Sequence, residues 1–136
     1  MGGTRGRTRG FLIINERAPR VCGTSWREII GSHLGSDVEI TRIRVRDACA
    51  ARNAARAAAD SGADFVVAIG GDGTVNACAN AVAGSHTRLA IIPAGTANDL
   101  ARVLGQTGNS QADLDTIADW RHRVIDAIKI NGNRYY

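Results

Sequence analysis

Aromatic side chains are scarce in this chain, at 4% of 136 residues. A core must therefore be assembled from Val, Ile, Leu and Ala, which suits helices laid on a parallel sheet. The interleaved aromatics on which a single-stranded nucleic acid would stack are missing too, so a nucleic-acid partner is not expected. Cys22, Cys49 and Cys78 are odd in number and far apart. That spacing supports neither a disulfide framework nor a zinc site, and it suits a reducing cytoplasm. His33, His86 and His122 each stand alone and are read as surface or partly buried side chains rather than ligands. No apolar run approaches the ~20 residues of a membrane-crossing helix. The chain start lacks the apolar stretch of a secretory signal, and Gly6 stands where a myristoylation pattern wants Ser or Thr. There is no Pro-rich linker and no internal repeat.

What is present is an ordinary globular balance, 44% hydrophobic with a net charge of +4 and a pI near 9.5. Much of the positive excess lies in residues 1–10, a Gly/Arg-rich stretch without apolar periodicity that reads as a disordered basic tail. Its Arg5, Arg7 and Arg9 make a thin footprint for a nucleic-acid or anionic-lipid arm.

From residue 11 the chain alternates. Phe11-Leu12-Ile13-Ile14 is a fully apolar run of the kind found in central parallel strands, ending at Asn15. Trp26, Ile29, Ile30 and Leu34 recur at helical spacing, with Ser25 as a candidate cap and Gly35 as the stop. Residues 38–45 alternate as an edge-proximal strand, with a slip between Ile40 and Ile43. Asp47 then caps an Ala/Arg-rich helix ending near Ser61-Gly62, with Arg52 and Arg56 on its solvated face. Strands are expected at 65–69 and 89–92, with helices at 75–83, 99–104 and 110–120. Residues 124–130 alternate again and lead into the hairpin signal Asn131-Gly132-Asn133. This order predicts an α/β fold, a mostly parallel sheet with helices on both faces. The expected organisation is a tail at 1–10, a nucleotide-binding domain at 11–123, and the start of a truncated β-rich second domain at 124–136.

Two turns carry the chemistry. Strand 65–69 runs into Gly70-Gly71-Asp72-Gly73-Thr74, and strand 89–92 runs into Pro93-Ala94-Gly95-Thr96-Ala97-Asn98-Asp99. Neighbouring parallel strands deliver such turns to one carboxyl edge, where α/β proteins bind ligands. Glycines let the backbone approach a ligand oxygen, and the helix that follows offers free N–H groups and its dipole to an anion. Thr74 adds a hydroxyl, and Gly95-Thr96 forms a second donor group. Asn98 is read as a ribose ligand or as the residue that holds its loop. Asp72 beside a phosphate makes sense if it meets a divalent cation or accepts a hydroxyl hydrogen bond. Neither a Walker A loop nor a Gly-x-Gly-x-x-Gly fingerprint is present. The expected geometry puts Thr74 and Thr96 side by side on one rim, facing a shared polyphosphate.

At these residues, Gly70 to Asn76 and Pro93 to Arg102, the sequence resembles the diacylglycerol kinase catalytic domain family, which includes bacterial lipid kinases and sphingosine kinases. NAD kinases and 6-phosphofructokinases are similar more distantly, through the first turn. Weaker matches are Ile13-Ile14-Asn15, Val124-Ile125-Asp126 and Asn131-Gly132-Asn133-Arg134-Tyr135.

The resemblance implies a kinase in which an amino-terminal α/β domain binds ATP with Mg²⁺ and a β-sandwich domain completes the cleft for lipid. It implies nucleotide contacts at Asn15, Gly70, Gly71, Asp72, Gly73, Thr74, Val75, Asn76, Ala77, Gly95, Thr96 and Asn98. Asp72 is the candidate catalytic residue on this chain, and no metal ligand set is named. Departures are Glu16-Arg17-Ala18-Pro19 after Asn15, Ile43 or Val45 where the family has a nucleotide-contacting Thr, and Ala77 where it has an acid. The family's base belongs to the second domain. The expected function is thus the ATP-binding half of a diacylglycerol-type lipid kinase of phospholipid biosynthesis, with nucleotide and lipid acceptor as partners. A homodimer and peripheral contact at the inner membrane face are further expectations, in a cytoplasmic protein. The alternatives are a catalytically inactive nucleotide-binding module and an NAD kinase-like enzyme.

Overall fold

The computed structural model describes residues 6–19, 26–106, 115, 124–130 and 134–135. Within them the chain runs β1 (Thr8–Asn15), α1 (Trp26–Leu34), β2 (Val38–Val45), α2 (Ala48–Asp60), β3 (Phe65–Gly70), α3 (Asp72–Val82), β4 (Arg88–Pro93), α4 (Asp99–Val103), β5 (Lys129–Ile130) and β6 (Arg134–Tyr135). The first four strands form one parallel sheet in the order β2-β1-β3-β4, with Ile14 beside Ile69 and Ile69 beside Ile92 in register. This is the α/β architecture expected from the alternation.

Successive strand residues point to opposite faces, so the apolar runs of the central strands feed two cores. On one face Ile13, Val66, Ala68 and Ile91 pack with Ala51, Ala55 and Ala58 of α2 and with Val75, Cys78 and Ala81 of α3. On the other, Leu12, Ile14, Val67, Ile69 and Ile92 pack with Ile30 and Leu34 of α1. The slip in β2 now has a cause. Val38 and Ile40 join the α1 core, whereas Ile43 and Val45 join the α2 core, so this edge strand changes its apolar face midway. Arg42 and Arg44 remain exposed on it, which discourages pairing with another sheet edge. Arg52 and Arg56 are likewise exposed on α2.

Three boundaries differ from expectation. The tail does not reach residue 10, because β1 already begins at Thr8. Arg9 N–H donates to the Asp64 carboxylate at 2.8 Å, Asp64 N–H returns a bond to the Arg9 carbonyl at 2.9 Å, and the Phe65 ring covers buried Gly10 so closely that a Cβ there would overlap it. Residues 1–5 lie outside the described residues. Second, α3 starts at Asp72 rather than at Val75, so Asp72-Gly73-Thr74 is the first helical turn and not a loop before it. An acidic residue is favourable at a helix start, which offsets the poor helix propensity of Gly73. Third, within the alternating segment 124–130 only Lys129–Ile130 is a strand, paired among the described residues with Tyr135 and Arg134. The antiparallel pairing agrees with a hairpin, although its turn at 131–133 lies outside the described residues, as does most of the helix expected at 110–120. This two-stranded sheet is separate from the main one.

Candidate functional site

The carboxyl rim of the sheet is where β1, β3 and β4 end, and it collects Asn15 and both glycine-bearing turns. The first turn is open by construction. Gly71 is the N-cap of α3, extended at φ −89° and ψ −170°, and no side chain caps the helix. Val75 N–H makes the first helical bond, to the Gly71 carbonyl at 3.0 Å. The amides of Asp72, Gly73 and Thr74 are therefore left without helical acceptors, at the positive end of the helix dipole. Gly73 is exposed and Asp72 half-buried, so an anion can reach them.

The second turn is folded against the first. Ala94 N–H donates to the Gly70 carbonyl at 2.8 Å, which carries the β3–β4 ladder past the strand ends. Beyond it, Gly95 lies against Gly71 backbone to backbone. A Cβ on Gly71 would stand 3.2 Å from the Gly95 Cα, and one on Gly95 would overlap the Gly71 Cα. Glycine is required at 95 for this approach, and a side chain at 71 would crowd it. Asn98 then closes the turn from a left-handed conformation (φ 56°, ψ 47°). Its Oδ1 accepts from Gly95 N–H at 3.1 Å and its Nδ2 donates to the Gly95 carbonyl at 2.9 Å. Thr96 and Ala97 stay exposed at the tip.

A strut joins β1 to this assembly. Asn15 Nδ2 donates to the Thr74 hydroxyl oxygen at 3.0 Å, and its Oδ1 accepts from Arg17 N–H at 3.0 Å. Thr74 is 3% exposed and packs beneath Gly70, whose missing Cβ would stand 2.6 Å from the hydroxyl oxygen. The Thr74 hydroxyl is thus turned inward as a support, and it is the backbone of the first turn that faces outward. The two turns touch through Gly71 and Gly95.

Other expected site residues separate in the same way. The side chains of Val75 and Ala77 are in the α2–α3 core, leaving only their backbone near the rim. A carboxylate in place of Ala77 would enter that core, so the alanine there is accounted for by packing. Asn76 is exposed, with its carbonyl and Oδ1 both accepting from Asn80 Nδ2. Among the described residues no group of three or more His, Cys, Asp or Glu is arranged to hold a metal ion. The Asn15–Thr74 strut was not legible in advance, because its partners are 59 residues apart and neither lies in a motif that names the other.

Residues 9–130 match the diacylglycerol kinase catalytic domain. The chain belongs to that family. It is 40% identical over 94 residues to a diacylglycerol kinase of Mycobacterium tuberculosis, covering 68% of this chain and 30% of that protein. It is 35% identical over 123 residues to a diacylglycerol kinase of Bacillus subtilis, covering 82% of this chain and 41% of that one. The crystal structure of a diacylglycerol kinase from Bacillus anthracis superposes with a TM-score of 0.76 at 26% identity, over 95% of this chain and 45% of that chain. The chain therefore spans less than half the length of these diacylglycerol kinase relatives. No helix among the described residues is long and apolar enough to cross a membrane.

Proposed function

We propose that this chain is the ATP-binding half of a diacylglycerol-type lipid kinase. The observation that carries the reading is the uncapped start of α3, held at van der Waals distance from the Gly95 turn on the carboxyl rim. Phosphoryl transfer needs little covalent chemistry from the protein, and positioning with charge stabilisation does most of the work. The amides of Asp72, Gly73 and Thr74 would receive phosphate oxygens, with the Thr96–Ala97 tip closing over them from β4. These groups fit a polyphosphate, since they are backbone donors without helical acceptors on a glycine-bearing turn. Mg²⁺, arriving with the nucleotide, would neutralise phosphate charge, and Asp72 is the carboxylate on this rim suited to meet it, directly or through water. Asn15 and Asn98 would act by holding the turns.

Diacylglycerol or a related lipid alcohol is the proposed acceptor, bound where a second domain meets this rim. Val124, Ile125, Ile128 and Ile130 are all exposed, Val124 at 93%, and would be covered by that domain. In its absence the same apolar surface favours self-association, which sizing against concentration would reveal. Peripheral contact with the inner membrane face follows from a lipid substrate.

The test is calorimetric titration of Mg-ATP into the chain and its Asp72→Ala variant, followed by an assay of diacylglycerol phosphorylation. Saturable binding that weakens on removal of the carboxylate is expected. Absence of binding to the unaltered chain would sink the proposal. Binding without turnover agrees with an incomplete kinase, or with a nucleotide-binding module if adding the missing half restores nothing.

A further inference from the structure

Asn98 is 9% exposed, in a left-handed conformation that a residue with a side chain adopts only at some expense. Both ends of its amide engage the same residue, the N–H and the carbonyl of Gly95, and so fix the two peptide units that flank its Cα. Gly95 in turn rests on the Cα of Gly71, the residue that opens α3. Asn98, Gly95, Gly71 and the free amides of α3 therefore form one mechanical series.

Resting on the reading of this rim as a polyphosphate site, we propose that Asn98 is a positioning residue that does not touch the nucleotide. It closes the second turn on Gly95 and, through the Gly95–Gly71 contact, sets where the amides of Asp72, Gly73 and Thr74 stand. It also removes Gly95 N–H from the set of donors open to an anion, leaving that turn's share to exposed Thr96 and Ala97. Glycine at this position would relax the backbone but lose the clasp. Aspartate would keep the acceptor for Gly95 N–H while setting a carboxylate oxygen against the Gly95 carbonyl.

The test compares the unaltered chain with Asn98→Gly, using Mg-ATP and inorganic tripolyphosphate as calorimetric probes. The amide resonances of Gly71 and Gly73 are read without ligand. Loss of the clasp should weaken both ligands by the same factor, about tenfold, and shift both glycine resonances. If Mg-ATP weakens while tripolyphosphate does not, Asn98 contacts the nucleoside and the proposal fails. It fails equally if the glycine resonances stay in place. Should Asn98→Gly not fold, the isosteric Asn98→Asp carries the same paired comparison. Failure of the unaltered chain to bind either probe would overturn the polyphosphate reading and the positioning role with it. That result is distinct from a failed clasp, because the glycine resonances report on the clasp in ligand-free protein.

Discussion

Helices α2 and α3 lie side by side on one face of the sheet, and both begin at its carboxyl rim, yet their first turns are built for opposite ends. α2 is closed: Asp47, extended at φ −151° and ψ 169°, accepts from Ala50 N–H at 2.8 Å. α3 is open: Gly71 is also extended but has no side chain to offer, and the amides behind it stay free. Topology is shared, so the difference lies in the residue at the N-cap position, Asp47 in one helix and Gly71 in the other. A capped start adds stability, commonly about 1 kcal/mol, and an uncapped one keeps its dipole and donors for a ligand.

The open start of α3 is most sensitive to change at Gly95. Gly95→Ala pushes a methyl group into the Gly71 backbone. Overpacking of this kind costs about 1–3 kcal/mol, and the turns must part, so a lowered urea midpoint together with loss of Mg-ATP binding is expected. Unchanged binding would show that the contact between the turns is not required.

Thr74→Val keeps shape but removes the acceptor for Asn15 Nδ2. An orphaned, part-buried donor costs about 1–3 kcal/mol, and we expect about 2 kcal/mol from chemical denaturation. If stability is unaltered, the strut is not what fastens α3 to β1.

The same helices differ in their thiols, Cys49 on α2 being exposed and Cys78 on α3 buried. Burial pushes the Cys78 thiol from 9.0 up to about 12. The folded state therefore holds its proton where the unfolded chain releases it. The resulting stability is complete below pH 9 and declines as pH rises from 9 toward 12, by up to ~1.4 kcal/mol per unit. Denaturation midpoints measured from pH 8 to 10.5 should fall, and Cys78→Val should flatten that slope. A slope that survives the substitution assigns it to other groups.

Asp47→Ala should cost about 1 kcal/mol by removing the α2 cap while leaving Mg-ATP affinity alone. An effect on binding would mean that the two helix starts are not functionally separate. The smallest effect belongs to Gly73→Ala, which meets nothing within 4 Å. Alanine should stabilise the helix by up to ~1 kcal/mol while its methyl group hinders phosphate approach. A thermal midpoint that rises without any loss of affinity would place the phosphate elsewhere.

Much of this was readable from residue order alone. The apolar runs at 11–14, 65–69 and 89–92, the helical spacing of Trp26, Ile29, Ile30 and Leu34, and the Asp47 cap all reflect short-range periodicity and local hydrogen bonding. Such signals need only a few consecutive residues, so the parallel α/β class and the rim carrying both turns could be anticipated. The early start of α3 at Asp72 is a local matter, but at the two ends of the described chain expectation failed because pairing depends on residues distant in sequence. Residues 8–10 look like a polar tail until Asp64 and Phe65 are set beside them, and 124–128 alternate like a strand but pair with no strand among the described residues.

Residue order was enough to mark which residues could line the site, because glycine, threonine and asparagine suit the backbone shapes of the turns. Long-range packing assigned the duties of Thr74 and of the glycine pair. It turned the Thr74 hydroxyl inward to Asn15 and brought Gly71 against Gly95. Each of these is set by the spacing and register of β1, β3 and β4, and register arises from two cores packing at once on opposite faces of one sheet, a condition that no single stretch of chain contains.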